Sequence, residues 1–140
     1  SIMANNGVLL TRVIYVKEGD NKRFIIVDAA MNDLLRPTLY EAHHTIQTVQ
    51  SPGPGIGPAD IVGPVCETGD YLGQGRDMPA LGAGDTLAVL SAGAYGAVMA
   101  SSYNTRPPAG ELLVIDGACH VLRRQRTVAE LLAEESIPDF

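Results

Sequence analysis

Cysteine is scarce in this sequence of 140 residues. The two cysteines, Cys66 and Cys119, lie far apart, and neither belongs to a Cys-x-x-Cys pair. A small domain held together by disulfides would contain more of them, so a reducing cytoplasm is the expected compartment. His43 and His44 are adjacent, which on a helix points their side chains about 100° apart. That spacing disfavours a shared metal ion, and we expect no metal site.

Long hydrophobic runs and an excess of positive charge are also absent. No apolar run reaches the ~18 residues that indicate a membrane-spanning helix, and the formal net charge is −6 at pH 7. This charge argues against binding to nucleic acid or to an anionic membrane surface. Lysine is scarce too: eight of the ten basic residues are Arg, and the other two are Lys17 and Lys22. A reaction that needs a lysine has only these two candidates in the chain.

Glycine and proline, by contrast, are abundant. The chain has 15 Gly and 9 Pro, more than the usual combined share of about 12%. Such a content of turn-forming residues favours short strands over long helices. Two runs rich in β-branched residues, 7–16 and 23–29, flank a polar connection at 17–22 and predict a β-hairpin.

The remaining segments predict a succession of short elements. The first half contains one or two helical turns within 31–50 interrupted by Pro37, then a loop or linker without regular structure at 51–58, an extended edge or bulged segment at 60–66 and a turn at 67–70. A strand at 87–90 follows, and then a segment of small residues at 91–96 that allows the close approach of a backbone or a ligand. The chain ends with a second hairpin, of 111–115 and 119–124 around Asp116-Gly117, and with a capping box from Thr127 to Glu130 that opens a short helix and a frayed tail over 127–140. Together they predict one all-β domain over residues 1–140, a β-barrel or sandwich with short helices.

Three segments carry polar groups that this architecture does not require. On a helical turn Arg36 and Tyr40 share a face, where guanidinium and phenol can clamp a carboxylate; a surface Arg packed on a Tyr is the simpler alternative. Cys66 and Glu67 sit at a turn, where the thiol can donate a proton, although an inert buried Cys is the commoner case. Tyr95 lies among small residues and can contact a planar ligand or a phosphate, or else pack in a tight turn.

These segments belong to motifs that resemble the C-terminal part of the diaminopimelate decarboxylases, pyridoxal-phosphate enzymes that form L-lysine from meso-diaminopimelate. The motifs are, in order, residues 1–10 (SIMANNGVLL), 27–40 (VDAAMNDLLRPTLY), 62–70 (VGPVCETGD), 90–96 (LSAGAYG) and 102–107 (SYNTRP). Thr68 departs from the Ser that is usual in the third motif. The resemblance covers nearly the whole chain. It implies the C-terminal β-barrel or sandwich domain that follows a cofactor-holding (β/α)8 barrel in this family.

The resemblance also implies roles for five residues. Arg36 and Tyr40 would bind the distal carboxylate of the substrate, and Glu67 would face its distal amine. Tyr95 would contact both pyridoxal phosphate and substrate. Cys66 would enter the active site of the partner in a head-to-tail homodimer and return a proton after carbon dioxide leaves. Ornithine and arginine decarboxylases share this architecture, but a distal carboxylate needs a cation such as Arg36, which favours diaminopimelate.

The two lysines bear on what the chain can do alone. Enzymes that use pyridoxal phosphate hold it on a Lys side chain. Lys17 and Lys22 lie at one hairpin tip, and neither matches the cofactor lysine of the family, which belongs to the barrel. We therefore expect no decarboxylase activity from the chain alone and interpret it as part of a longer enzyme, because Ser1 falls inside a motif usually preceded by Gly-Arg. The alternative is a stand-alone β-barrel that binds a partner or a small ligand and has lost catalysis.

Overall fold

The computed structural model describes residues 5–20, 22–50 and 53–139. They form two compact units, the first ending at Ala100 and the second beginning at Ser101. The regular elements are β1 (Leu9–Glu18), β2 (Arg23–Val27), α1 (Arg36–Tyr40), β3 (Ile46–Thr48), β4 (Gly55–Val62), β5 (Tyr71–Pro79), β6 (Thr86–Val89), α2 (Ala94–Ala97), a 3₁₀ turn (Tyr103–Thr105), β7 (Glu111–Ile115), β8 (Ala118–Arg123) and α3 (Val128–Leu132). The prediction of an all-β fold with short helices is confirmed.

The first unit is built on one six-stranded sheet in the order β3-β6-β1-β2-β4-β5. Neighbouring strands are antiparallel except β2 and β4, which run parallel. β1 serves two partners, because residues 9–12 pair with β6 and the rest of the strand pairs with β2. The register of the second pairing is irregular around Ile14, where the strand bends. The predicted first hairpin is confirmed as β1 and β2.

The outer strands of this sheet, β3 and β5, approach one another. Ile46 on β3 reaches to within 3.0 Å of the position that a Cβ on Gly73 of β5 would occupy. The sheet therefore curves back on itself like a barrel, with an apolar interior. The buried side chains of the interior include Val13, Ile25, Val27, Leu34, Ile61, Leu72, Met78, Leu87 and Val89.

A buried arginine holds β4 against β5. Arg23 is 7% exposed, and its guanidinium donates to the carbonyls of Gly57 at 2.9 Å, Met78 at 2.7 Å and Pro79 at 3.2 Å. The expectation of a loop or linker over 51–58 is wrong from Gly55 onward, because β4 begins there; residues 51–52 lie outside the described residues. A segment rich in Gly and Pro becomes a strand here because distant groups bond its backbone.

Other boundaries also differ from the predicted ones. Pro37 lies in the first turn of α1 and opens the helix rather than interrupting it, since a proline there removes no helical hydrogen bond. β4 ends at Val62, so Pro64 and Cys66 follow the strand. β3 and β5 were not predicted. The small residues at 91–96 do allow close approach, because a Cβ on Gly7 would overlap the backbone of Gly93.

The second unit consists of the β7–β8 hairpin, the 3₁₀ turn and α3. The hairpin turns at Asp116-Gly117, with φ of 50° and 77°, as its sequence predicts. Most apolar side chains of both its strands are exposed. No helix in the described part of the chain is long and apolar enough to cross a membrane.

The predicted capping box opens α3. Thr127 Oγ1 accepts from the backbone N–H of Glu130 at 3.2 Å, and the Glu130 carboxylate accepts from the backbone N–H of Thr127 at 2.8 Å. Arg124 Nη1 donates to the same carboxylate at 2.8 Å. The hydrogen bond from Arg124, followed by that from Thr127, lowers the pKa of Glu130 from its usual value near 4.5 to about 2.

We expect NMR titration of Glu130 in this chain to show a midpoint near 2. Because the folded pKa is depressed, the contribution of these bonds is complete above about 4.5 and disappears as pH falls toward about 2. Replacing Arg124 with Gln should raise the midpoint toward 4.5. A midpoint that stays near 2 in Arg124→Gln would contradict the assignment of the main cause to Arg124.

Candidate functional site

The candidate site is organised around α1, which follows β2 through residues 28–35. Leu34 anchors this segment, because its side chain is fully buried, and Pro37 is buried in the first helical turn. Arg36 and Tyr40 occupy the two ends of the helix. The Arg36 side chain is half-buried, and Tyr40 is 62% exposed. The helix thus offers a cation and a phenol at its surface, as the sequence predicts.

Tyr95 lies beside Arg36. The centre of the Arg36 guanidinium is 6.0 Å from the centroid of the Tyr95 ring, at the limit of a cation–π contact. Tyr95 belongs to α2, where Gly96 leaves space for Leu34, two positions before Arg36. A Cβ on Gly96 would lie 3.3 Å from a Leu34 methyl group. The Tyr95 side chain is 59% exposed. The first and third predicted segments therefore meet directly.

The Cys66-Glu67 turn is fastened to the same helix. Cys66 and Glu67 are both exposed. Three residues on, the Gly69 carbonyl accepts a hydrogen bond from the Thr38 hydroxyl on α1. The Tyr71 hydroxyl, at the start of β5, donates to the Pro37 carbonyl at 3.2 Å. The turn that carries Cys66 is thus attached to α1 through two hydrogen bonds, and Tyr95 lies beside Arg36 at the start of the same helix.

Sequence reasoning missed the residues that hold these segments in place. Asp70 was interpreted only as part of a turn, yet its side chain is buried and accepts backbone N–H groups from two loops. Thr38 and Tyr71 were not singled out at all. The available signal was a carboxylate immediately after a glycine inside the third motif, which is typical of a side chain that bonds its own turn.

A cavity of about 390 Å³ opens beside α1 and is lined by Pro37 of the helix and by Glu41, which follows it. Arg76 lines it, and burial lowers the pKa of this guanidinium. His43 Nε2 contacts Arg76 Nη1, whereas His44 is buried with Nδ1 3.0 Å from the Leu90 carbonyl. The two adjacent histidines therefore have separate surroundings. Among the described residues, no group of three or more His, Cys, Asp or Glu side chains could hold a metal ion.

The positions of the two lysines test whether this chain can carry pyridoxal phosphate covalently. Lys22 is paired with Asp60 and lies 5.6 Å from the Phe24 ring centroid. Lys17 pairs in register with Phe24 on the same hairpin. Both lysines lie near the start of β2. The opposite end of this strand, which leads to α1, is about 16 Å away along the strand. The exposed Tyr95 phenol can contact such a cofactor, but the site offers no lysine to hold it.

The fold and the motifs define a family. Residues 2–93 match the family described as pyridoxal-dependent decarboxylase, C-terminal sheet domain. The chain belongs to this family.

The most informative relatives are diaminopimelate decarboxylases. The chain is 56% identical over 137 residues to the diaminopimelate decarboxylase of Pseudomonas aeruginosa, a match that covers 98% of this chain and 33% of the relative. It is 50% identical over 135 residues to that of Zymomonas mobilis, covering 96% and 32%. The crystal structure of diaminopimelate decarboxylase from Helicobacter pylori complexed with L-lysine superimposes with a TM-score of 0.87 at 44% identity, covering 94% and 32%. The chain thus spans about a third of the length of the curated relatives that it matches.

Proposed function

We propose that this chain is the C-terminal β domain of a diaminopimelate decarboxylase, a cytoplasmic homodimer that converts meso-diaminopimelate to L-lysine and carbon dioxide. The observation that carries the proposal is that the Cys66 turn and Tyr95 both meet α1, which carries Arg36 and Tyr40. Arg36 lies against Tyr95, and Thr38 of the same helix donates to the turn that holds Cys66. High identity to diaminopimelate decarboxylases over nearly the whole chain supports the choice of substrate.

Arg36 and Tyr40 bind the distal carboxylate in this proposal. A guanidinium can donate two parallel hydrogen bonds to the two carboxylate oxygens, and a phenol adds a third donor. The Tyr95 ring against Arg36 limits the orientations that the guanidinium can take. A substrate without a distal carboxylate would leave this cation unpaired, so the pair discriminates diaminopimelate from diamines and simple amino acids.

In the active site of the partner, Cys66 acts at the reacting end of the substrate and Glu67 acts at its distal end. The bond between the reacting carbon and its carboxyl group breaks, carbon dioxide leaves, and the electron pair remains on the substrate. The Cys66 thiol then gives its proton to that carbon and regains one from solvent. Glu67 accepts hydrogen bonds from the distal ammonium group. Exposure of both side chains on a turn suits residues that reach across a subunit interface.

Pyridoxal phosphate supplies the electron sink that makes loss of carbon dioxide possible. Tyr95 would contact it, while the lysine that holds it would come from the part of the enzyme outside this chain. The two lysines here cannot take that role, since Lys22 is paired with Asp60 and both lie on the β1–β2 hairpin.

The proposal is tested by supplying the missing part. We expect the 140-residue chain with pyridoxal phosphate to release carbon dioxide from meso-diaminopimelate at the background rate. A chimaeric enzyme, in which this chain replaces the matching third of the Pseudomonas aeruginosa relative, should turn over the substrate and sediment as a dimer. Release of radiolabelled carbon dioxide measures the turnover of the isolated chain and of the chimaera, and sedimentation measures whether the chimaera is a dimer. Turnover by the isolated chain would contradict the assignment of the cofactor lysine, and an inactive but folded chimaera would favour a stand-alone binding domain.

A further inference from the structure

Asp70 is a buried carboxylate that the proposed reaction does not use. It is 4% exposed, and each of its oxygens accepts a short hydrogen bond from a backbone N–H. Oδ1 is 2.7 Å from the nitrogen of Met31, and Oδ2 is 2.7 Å from the nitrogen of Val65. Its own backbone carbonyl accepts from Gly63 at 3.0 Å. Both carboxylate oxygens are therefore bonded to backbone groups inside the fold.

The two N–H groups belong to the two halves of the candidate site. Met31 lies in the segment that leads to α1, and therefore to Arg36. Val65 directly precedes Cys66. A single carboxylate thus joins the backbone that carries the substrate clamp to the backbone that carries the thiol.

The surroundings of Asp70 leave little freedom for this link. A Cβ on Gly63 would collide with the Asp70 carboxylate, so the glycine provides the space that the side chain fills. Bonds from backbone N–H groups to a carboxylate are about twice as strong as neutral ones, and burial protects them from competition with water. The Thr38–Gly69 hydrogen bond forms a second link between the same two segments.

We propose that Asp70 is a positioning residue that fixes the Cys66 turn to the segment bearing Arg36 and Tyr40. This inference rests on the proposed function. In a homodimer with shared sites, the clamp serves one active site and the thiol serves the other. Asp70 therefore keeps each in the place that its site requires. Misplacing a proton donor by about 1 Å is enough to lower a rate a hundredfold.

The test uses the chimaeric enzyme with Asp70→Asn, which keeps the shape of the side chain but can accept only one of the two N–H groups. We expect kcat to fall at least about tenfold with little change in KM, because proton return is affected more than substrate binding. In D2O the parent should place one deuterium on the reacting carbon in a single configuration. Asp70→Asn should give both configurations, an outcome that a smaller folded fraction cannot produce.

Asp60 provides the matched control. It is also buried, at 3% exposure, and its carboxylate accepts the N–H of Gly75 at 2.8 Å. Asp60→Asn should lower thermal stability while leaving kcat and the deuterium configuration unchanged. If Asp70→Asn does not fold, Thr38→Val serves in its place, because it removes the second link. It should likewise place deuterium in both configurations, with a smaller fall in kcat.

Two outcomes separate this inference from the proposed function. In the first outcome, Asp70→Asn or Thr38→Val keeps the parental kcat and the single deuterium configuration, as Asp60→Asn does. If Cys66→Ala nevertheless loses activity and gives both configurations, the positioning role is overturned and the proposed function stands. If Cys66→Ala leaves both readouts unchanged, the proton-donor role of Cys66 is overturned and the positioning role with it, whereas a folded chimaera without any activity overturns the proposed function itself.

Discussion

Cys66→Ala is expected to lower kcat of the chimaeric enzyme for meso-diaminopimelate by about a hundredfold or more, the usual contribution of a placed proton donor. KM should change little, because the thiol acts after the substrate is bound. Steady-state assay of lysine formation measures both constants. Cys66→Ser should recover little activity, since a hydroxyl is a much weaker acid than a thiol.

Cys119 offers a matched control for this prediction. It is the other free cysteine and is likewise exposed, on β8 of the second unit. Cys119→Ala should leave kcat and KM unchanged. A Cys66→Ala enzyme with kcat within about twofold of the parent would remove Cys66 from the reaction.

Arg36→Ala should raise KM for meso-diaminopimelate by roughly tenfold to a hundredfold. The estimate follows from a charge-assisted hydrogen bond worth ~1.5–3 kcal/mol, at ~1.4 kcal/mol for each factor of ten. The same change should reduce the preference for meso-diaminopimelate over L-lysine as a substrate. L-lysine has no distal carboxylate, so its kcat/KM does not depend on a contact with Arg36, whereas that of meso-diaminopimelate does. Competition between the two substrates measures this ratio of kcat/KM.

The control for Arg36 is Arg12, an exposed arginine on β1 of the same unit. Arg12→Ala should leave both KM and the substrate ratio unchanged, which excludes a general effect of lowering the positive charge. Tyr40→Phe should raise KM by less than Arg36→Ala does, since it removes a neutral donor. An Arg36→Ala enzyme that keeps the parental substrate ratio would show that the clamp lies elsewhere.

The sequence predicted those elements that short-range chemistry determines. The β1–β2 and β7–β8 hairpins follow from β-branched runs around turn residues, and the capping box from Thr127 to Glu130 follows from two side chains three residues apart. The sequence likewise singled out Arg36 and Tyr95 through the motifs that they belong to, and the structure brings the two side chains together. Each of these signals is contained in a short stretch of sequence.

Long-range contacts account for the misses. β4 and β5 contain glycines and prolines that locally disfavour strands, and they pair because Arg23, more than thirty positions before Gly57, bonds their carbonyls. Asp70 looked like an ordinary turn residue because its partner Met31 lies 39 positions away. No local propensity contains such information, since it arises only when the chain has folded.

Arg23 and Asp70 both bind main-chain groups, and this affects which substitutions the domain can accept during evolution. Each buried charge binds main-chain groups: Arg23 binds three carbonyls, and Asp70 binds two amides. Main-chain groups are the same whatever side chain a residue carries. Substitutions at Met31, Val65 or Met78 can therefore accumulate without breaking these bonds, provided that the backbone path is kept. The scaffold can therefore tolerate sequence drift around the candidate site. On the proposed function, substitutions of Arg36 and Tyr40 at the two ends of α1 can then alter substrate preference without disturbing the scaffold.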